Sequence, residues 1–371
     1  MNRYITAALL GVFFIIASSA VLPQQPRNKR TSSPKPSPTP IKQVTAPTPV
    51  AADPISGEWN AVYHYRDLKI PFKLKLRLAA GIVSGEVTYD DGSRRITEGG
   101  WSAGQLNLTV EYPRDPKRPD RMTATLTENT LAGDFGPPGD TTWKAERFDD
   151  QLKKVGSKQP PEVAASLKLQ LEKLLSLKIS EQMEGAFNLG EMGSKALPAV
   201  PFLLATLPLS GGVKEVDRSS LRFLGETTVG LATGEKVYTV YPVQNVTVRA
   251  LAKIGEPAIE PIRLLLLKEP PEAESVSFAL DALARMQNPI ATKLLHEMAR
   301  SKNTQLRRKV VDSLAENKSP GTVELLIEFL NDAEPVIRAD AAGSLQRNTG
   351  KNFGQDAARW KEWWSNNIPK P

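Results

Sequence analysis

The chain of 371 residues contains no cysteine and only two histidines, and these shortages exclude several kinds of site. Without cysteine there can be no disulfide, no thiolate nucleophile and no cysteine metal ligand. His64 lies in a predicted strand and His296 in a predicted helix far along the chain. The sequence therefore predicts neither a histidine metal cluster nor a Ser-His-Asp triad. Glycine-rich dinucleotide and phosphate-binding motifs are also missing, so we predict a protein that is not an enzyme and uses no metal or cofactor.

Acidic residues are missing from the first fifty positions, and this absence explains the net charge. The formal charge is +7, from 48 Lys and Arg against 41 Asp and Glu. Without the six basic residues of that stretch, 42 basic residues face 41 acidic ones, so the remainder is nearly neutral. We therefore predict no nucleic acid partner. The six residues are Arg3, Arg27, Lys29, Arg30, Lys35 and Lys42.

Residues 1–22 have the pattern of a signal peptide or a membrane anchor. Arg3 precedes an apolar run, and the small residues Ser18 and Ala20 stand at the spacing that signal peptidase prefers. The segment from Ile5 to Leu22 is also about long enough to span a bilayer, so a retained anchor is an open alternative. Both alternatives predict an exported protein of the periplasm or cell envelope, tethered to the membrane if the segment is not cleaved.

Residues 23–54 contain nine prolines together with Ser, Thr, Lys and Gln, and few large apolar side chains. Such a segment cannot bury enough surface to offset the entropy cost of ordering it, so we predict a disordered linker. In polyproline II geometry, at ~3.1 Å per residue, it would reach on the order of 100 Å. A spacer across an envelope layer and a plain solvated linker are both open interpretations.

Residues 55–149 alternate apolar and polar side chains with a period of two, the pattern of strands with one wet face. Asp90-Asp91-Gly92-Ser93 predicts a hairpin turn. About eight short strands with short connections predict an antiparallel meander that closes as a small β-barrel or sandwich. The clearest strand has apolar side chains at Ile70, Phe72, Leu74, Leu76 and Leu78.

The two ends of this β domain resemble lipocalin-type barrels. Gly57-Glu58-Trp59 is similar to the first strand of that family, and the segment from Trp143 to Arg147 is similar to the last. The resemblance implies a barrel, and it raises the alternative that the β domain carries a small apolar ligand. The chain is shorter than a lipocalin, which argues against a roomy cavity. We therefore predict that Trp59 and Trp143 are core residues.

A helical pattern recurs four times between residues 244 and 345, marked by leucines spaced 32, 31 and 31 residues apart. Residues three and four positions before each leucine share its helix face. A second apolar helix follows each of the first three copies. Such a helix pair cannot bury its apolar face alone, so neighbouring pairs must stack into an α-solenoid. The marker residues are Leu251, Leu283, Leu314 and Leu345.

The last copy resembles the consensus of HEAT repeats. Its period is shorter than the ~40–47 residues of eukaryotic HEAT units and is similar to short bacterial repeats grouped with the phycobilisome lyases. The resemblance implies an armadillo-type superhelix over residues 160–371 that serves protein–protein interaction. A tetrapyrrole-handling lyase is the alternative that the family implies. The matching residues are Asp332, Pro335, Ile337, Arg338, Ala341, Ala342 and Leu345.

Two segments of the solenoid differ from its repeats. Residues 210–243 carry β-branched and aromatic side chains around Thr233-Gly234-Glu235, which predicts an inserted β-hairpin. Near the end, Phe353-Gly354-Gln355-Asp356 resembles the closing segment of bacterial HEAT proteins. Three tryptophans follow it, and we predict that they cap the last repeat. They are Trp360, Trp363 and Trp364.

The candidate binding surface is the inner face of the solenoid, lined by the second helix of each pair. Charged residues there are predicted to point away from the core, and their mixed signs favour a protein partner over a polyanion. We therefore predict an exported, non-enzymatic protein–protein interaction scaffold, with the inserted hairpin as a second candidate contact. The predicted inner-face residues are Glu260, Arg263, Lys293, Glu297, Glu324 and Glu328.

Overall fold

A computed structural model of the chain shows a β-barrel followed by paired helices. The predicted signal or anchor (1–22) and the linker up to residue 52 lie outside the residues that the structure describes. In the described part, no helix is both long and apolar enough to cross a bilayer. The described residues are 53–66, 68–111, 119–136, 141–156, 161–209, 213–224, 231–233, 236–315 and 320–368.

Within the described residues, eight antiparallel strands close into a barrel in sequence order. The first and last strands pair from Trp59↔Arg147 to Tyr65↔Thr141, and this pairing decides between a barrel and a sandwich. The predicted turn at Asp90 and Asp91 joins the third strand to the fourth. The strands are β1 (Gly57–Tyr65), β2 (Leu68–Ala79), β3 (Ile82–Tyr89), β4 (Gly92–Ser102), β5 (Gln105–Val110), β6 (Asp120–Thr127), β7 (Thr130–Phe135) and β8 (Thr141–Arg147).

The expectation of short strands is wrong for β2 and β4, which have 12 and 11 residues. In β4 the alternation is interrupted because the pairing with β5 shifts register between Ile96 and Glu98. A shift of this kind moves the later side chains to the other face of the sheet, so apolar and polar residues do not alternate through the whole strand.

Side chains from every strand fill the barrel interior. Trp59, Phe72 and Trp143 are among the largest fully buried residues, and the rings of Phe72 and Trp143 lie 5.8 Å apart. The Trp59 Nε1–H donates a hydrogen bond to the carbonyl oxygen of Ile55, 2.9 Å away, so the buried Ile55 closes one end. The prediction that both tryptophans are core residues is confirmed.

In the helical region, the helices α3, α5, α7, α9 and α11 pack side by side in chain order. Each marker leucine of the repeat, from Leu251 to Leu345, is at most 1% exposed, which confirms the predicted core positions. The helices are α1 (Phe148–Gly156), α2 (Pro161–Leu174), α3 (Ile179–Glu191), α4 (Val200–Thr206), α5 (Pro242–Ile254), α6 (Ile259–Lys268), α7 (Glu274–Arg285), α8 (Pro289–Ala299), α9 (Thr304–Leu314), α10 (Pro320–Phe329), α11 (Pro335–Thr349) and α12 (Ala357–Ser365).

The described residues between α4 and α5 form a three-stranded sheet of β9 (Val213–Asp217), β10 (Leu231–Thr233) and β11 (Lys236–Val240), in the order β10-β11-β9. The hairpin pattern corresponds to β10 and β11, and β9 is a strand that the pattern did not predict. The sheet buries Val216 and Val237 in the helical core. The insertion does not separate the repeats, because α3 and α5 pack directly: a Cβ on Gly190 would lie 2.8 Å from the Ala250 Cα.

The tryptophan-rich last helix covers the end of the solenoid, as predicted. Trp360 is completely buried, and its Nε1–H donates to the Gly354 carbonyl oxygen at 2.9 Å. The Phe353 ring lies 4.8 Å from the Trp360 ring in an edge-to-face arrangement. Asp356 caps α12 by accepting hydrogen bonds from two backbone N–H groups of its first turn. The Phe-Gly-x-Asp segment therefore positions the cap.

Candidate interaction surface

The six predicted inner-face residues lie on α6, α8 and α10, the second helices of three consecutive repeats. We call the exposed sides of these helices the second-helix face. Arg263 is half-buried and so is Glu324, whereas the other four side chains are exposed. The structure therefore brings the residues onto one set of helices, as predicted. Glu260 and Arg263 belong to α6, Lys293 and Glu297 to α8, and Glu324 and Glu328 to α10.

On α6, one turn of helix pairs an acid with a base. The Nη2 and Nε of Arg263 donate to the two carboxylate oxygens of Glu260, at 2.6 and 2.8 Å. This pairing lowers the pKa of Glu260. The carboxylates of Glu260 and, from α8, Glu297 raise the pKa of Arg263. Glu297 of α8 therefore lies near enough to Arg263 of α6 for their charges to attract each other.

A second set of contacts joins α8 to α10. The Glu328 Oε2 lies 3.9 Å from both the His296 Nδ1 and an Arg300 guanidinium nitrogen. Within the described residues, no group of three or more His, Asp and Glu side chains could hold a metal ion. His296 and Arg300 both lie beside the Glu328 carboxylate on the second-helix face.

Most charges of the second-helix face already have an opposite charge nearby. Exposed ion pairs contribute only about 0–1 kcal/mol to stability because water screens them. Their arrangement can select a partner whose charges match, and it can steer that partner during approach. Lys293, Glu297 and Glu324 form no ion pair with another described residue, and Lys293 is the base among them. An acidic group on a partner could therefore pair with Lys293 without displacing a contact.

Two exposed leucines on α6 belong to this surface, and the sequence reasoning missed them. Leu264 is 55% exposed and Leu267 is 64% exposed. The signal was present as four consecutive leucines from 264 to 267. A helix turns about 100° per residue, so four successive side chains cannot all face one core. Leu266 is buried and its outer neighbours are left in solvent.

Glu324 departs from the expectation that all six side chains point away from the core. Its Oε2 is shielded from solvent and has no hydrogen-bond partner among the described residues. The reason is the packing of α10, which contacts α8, α9, α11 and α12 and has less free surface than α6 or α8. Glu324 is therefore a poorer candidate for a partner contact than the exposed Glu328.

Comparison with known proteins supports the repeat assignment. Residues 260–346 match the family profile of HEAT repeats, a range that contains all six candidate residues. The crystal structure of an engineered protein matches with 17% identity over 55% of this chain and 90% of that chain. Its TM-score is 0.24, so it carries no argument about fold or function. No curated protein matches the chain. Repeat arrays of this kind present extended binding surfaces, and HEAT proteins generally act as protein-interaction scaffolds.

Proposed function

We propose that this protein is an exported, non-enzymatic scaffold that binds a protein partner on the second-helix face, the inner face of its solenoid. The observation that carries the proposal is the surface shared by α6, α8 and α10. There, Glu260 and Arg263 lie within about one helical turn of the exposed Leu264 and Leu267 on α6, and further charged contacts follow on α8 and α10. A folded partner that offers both apolar side chains and charges of both signs fits this surface.

The two leucines are the proposed source of affinity. Burying apolar surface contributes roughly 25 cal/mol per Å², whereas exchanging one exposed ion pair for another changes the free energy of binding little. The charges would instead fix the orientation of the partner and exclude others. A protein surface supplies both kinds of group, and a polyanion supplies only one of them.

Capture of a partner by the full chain from the cells that make it tests the proposal. Leu264→Ala together with Leu267→Ala should abolish capture and leave the thermal melt unchanged. Leu169→Ala is the matched control, because Leu169 is 50% exposed on α2. Val240→Ala tests the inserted sheet, because Val240 is 48% exposed on β11. If the double leucine variant captures the partner normally and Val240→Ala does not, the binding site lies on the insertion and the proposed surface is wrong.

Export is part of the proposal, supported by the pattern of residues 1–22. A fractionated cell should show the protein outside the cytoplasm, either shortened at its N-terminus or bound to the membrane with residues 1–22 intact. Finding the intact chain free in the cytoplasm would contradict export. This outcome would leave the proposed binding surface untouched, because the two claims depend on separate parts of the chain.

Native mass spectrometry of the purified full chain distinguishes the scaffold from the carrier and tetrapyrrole-handling alternatives. A co-purifying protein supports the scaffold. A tetrapyrrole mass would support lyase-like handling, and an apolar ligand held by the barrel alone would support the carrier. The filled interior around Trp59, Phe72 and Trp143 favours the scaffold over the carrier, because an apolar ligand would have to displace these side chains.

A further inference from the structure

A crevice of about 230 Å³ lies where one end of the barrel meets the edge of the solenoid. Tyr63, Pro71 and Asp90 line it from the barrel. Leu177, Lys214 and Val243 line it from the helical region and its insertion. Because its walls come from parts of the chain that are distant in sequence, no local motif marks it. Ligand sites occur preferentially at such junctions.

The solenoid wall of the crevice is held in place by buried amide side chains. The Gln182 Nε2 donates to the Ser176 carbonyl oxygen at 2.6 Å, and the Gln244 Nε2 donates to the Leu209 carbonyl oxygen at 2.9 Å. Both glutamines line the crevice, and both are less than 9% exposed. The first bond fixes the turn before α3, and the second ties the segment after α4 to α5, so the wall is formed before any ligand arrives.

One unpaired acid and one unpaired base line the crevice from different walls. Asp90 belongs to the β3–β4 turn of the barrel and Lys214 to β9. Neither side chain makes an ion pair with another residue that the structure describes. Much of the remaining lining is apolar. A ligand with an ammonium group, a carboxylate and an apolar body would satisfy both charges and fill the space between them.

We propose that this crevice binds a small zwitterion with an apolar body, the chemistry shared by apolar α-amino acids and short apolar dipeptides. Its volume lies below the ~300–1,000 Å³ of ordinary small-molecule pockets, so larger ligands are excluded. Asp90 accepts from the ammonium group and Lys214 donates to the carboxylate. Tyr63 also lines the crevice, and its hydroxyl can donate a hydrogen bond to the ligand, because a tyrosine with an ordinary pKa of about 10 is protonated at neutral pH and burial raises the pKa of Tyr63 further.

Calorimetric titration of the full chain with L-phenylalanine tests the proposal, with the dipeptide Leu-Leu as the second probe. Tight binding of phenylalanine alone identifies a free amino acid site, and tighter binding of Leu-Leu identifies a peptide site. Phenethylamine lacks the carboxylate and N-acetyl-phenylalanine lacks the ammonium. Each should bind about ten- to a hundredfold more weakly than phenylalanine, because each leaves one charged hydrogen bond unmade.

Two variants assign the charged contacts to individual residues. Asp90→Asn should bind phenylalanine and N-acetyl-phenylalanine about equally, because the ammonium has lost its acceptor. Lys214→Met should bind phenylalanine and phenethylamine about equally for the corresponding reason. Glu98→Gln and Lys195→Met are matched controls at exposed positions outside the crevice, and they should bind phenylalanine like the unmodified chain.

Two results would overturn the proposal. One is the absence of both heat and thermal stabilisation with either probe at millimolar concentration, since a ligand that binds the folded state must stabilise it. The other is binding that Asp90→Asn and Lys214→Met leave unchanged, which would place the ligand elsewhere. Neither result concerns the second-helix face, because the measurement contains no protein partner.

Discussion

At the scale of single residues, Leu283 of α7 links the repeat spacing to stability. Its side chain is completely buried, and α7 packs against both α5 and α9. Leu283→Ala would leave a cavity and should lower the free energy of unfolding by about 2–5 kcal/mol. Leu264→Ala is the control on an exposed leucine and should change it by less than about 0.5 kcal/mol. Urea denaturation measures both, and equal losses would contradict the assigned burial.

For the exposed glutamates of the second-helix face we predict an effect on partner binding and none on stability. Glu297→Ala and Glu328→Ala should each leave the free energy of unfolding within about 0.5 kcal/mol, because both side chains lie in solvent. They should weaken binding of the captured partner, and more strongly at low salt, where charges are less screened. Binding measured across a salt series checks this. A loss of affinity that does not vary with salt would argue against a charge contact.

At the scale of elements, Arg307 joins the turn before α9 to the turn after α10. Its guanidinium donates to both oxygens of Asp332, at 2.7 and 3.0 Å, and to the carbonyl oxygen of Ser301. The side chains of Arg307 and Asp332 are 13% and 7% exposed, so water screens the pair weakly. Neighbouring repeats are therefore held together at their turns as well as along their helices.

The same pair predicts a pH dependence of stability. The hydrogen bonds from Arg307 lower the pKa of Asp332. Its stabilisation is therefore complete above the unfolded value of about 3.9 and is lost as pH falls through the lower folded value. Asp332→Asn should cost about 1.5–3 kcal/mol at pH 7 and much less in strong acid, measured by urea denaturation at both pH values. Asp340→Asn, whose ion pair with Arg308 is more exposed, should cost less than about 1 kcal/mol.

At the scale of the whole molecule, buried apolar side chains of the described residues fall into two clusters, one in the barrel and one in the helical region. We predict that the β domain (55–149) and the helical domain (160–371) are separate folding units, so the barrel should fold alone. A fragment that tests this should start at Asp53, because Arg147 donates hydrogen bonds to the carbonyl oxygens of Asp53 and Pro54. A fragment of residues 53–147 should melt cooperatively by circular dichroism. An unfolded fragment would show that the barrel needs the helices.

Residue spacing alone was enough to predict the buried positions of the marker leucines and of β2. Leu251 and Leu283 were identified by the spacing of 31–32 residues between repeats, and the buried residues of β2 by their alternation. Both patterns work because the local geometry of a helix or strand sets the face on which a side chain lies. The HEAT-like residues of the last repeat likewise identified the solenoid.

Contacts between residues that are distant in sequence became visible only in the folded chain. No local pattern records that β1 pairs with β8, that α3 packs on α5 past a long insertion, or that Asp90 and Lys214 line one crevice. The physical reason is that these contacts depend on closure of the barrel and on how the helices stack, and both are set by packing across the whole chain. The spacing of apolar residues along a helix or strand predicts which of its faces is buried, but it does not predict which other helix or strand packs against that face.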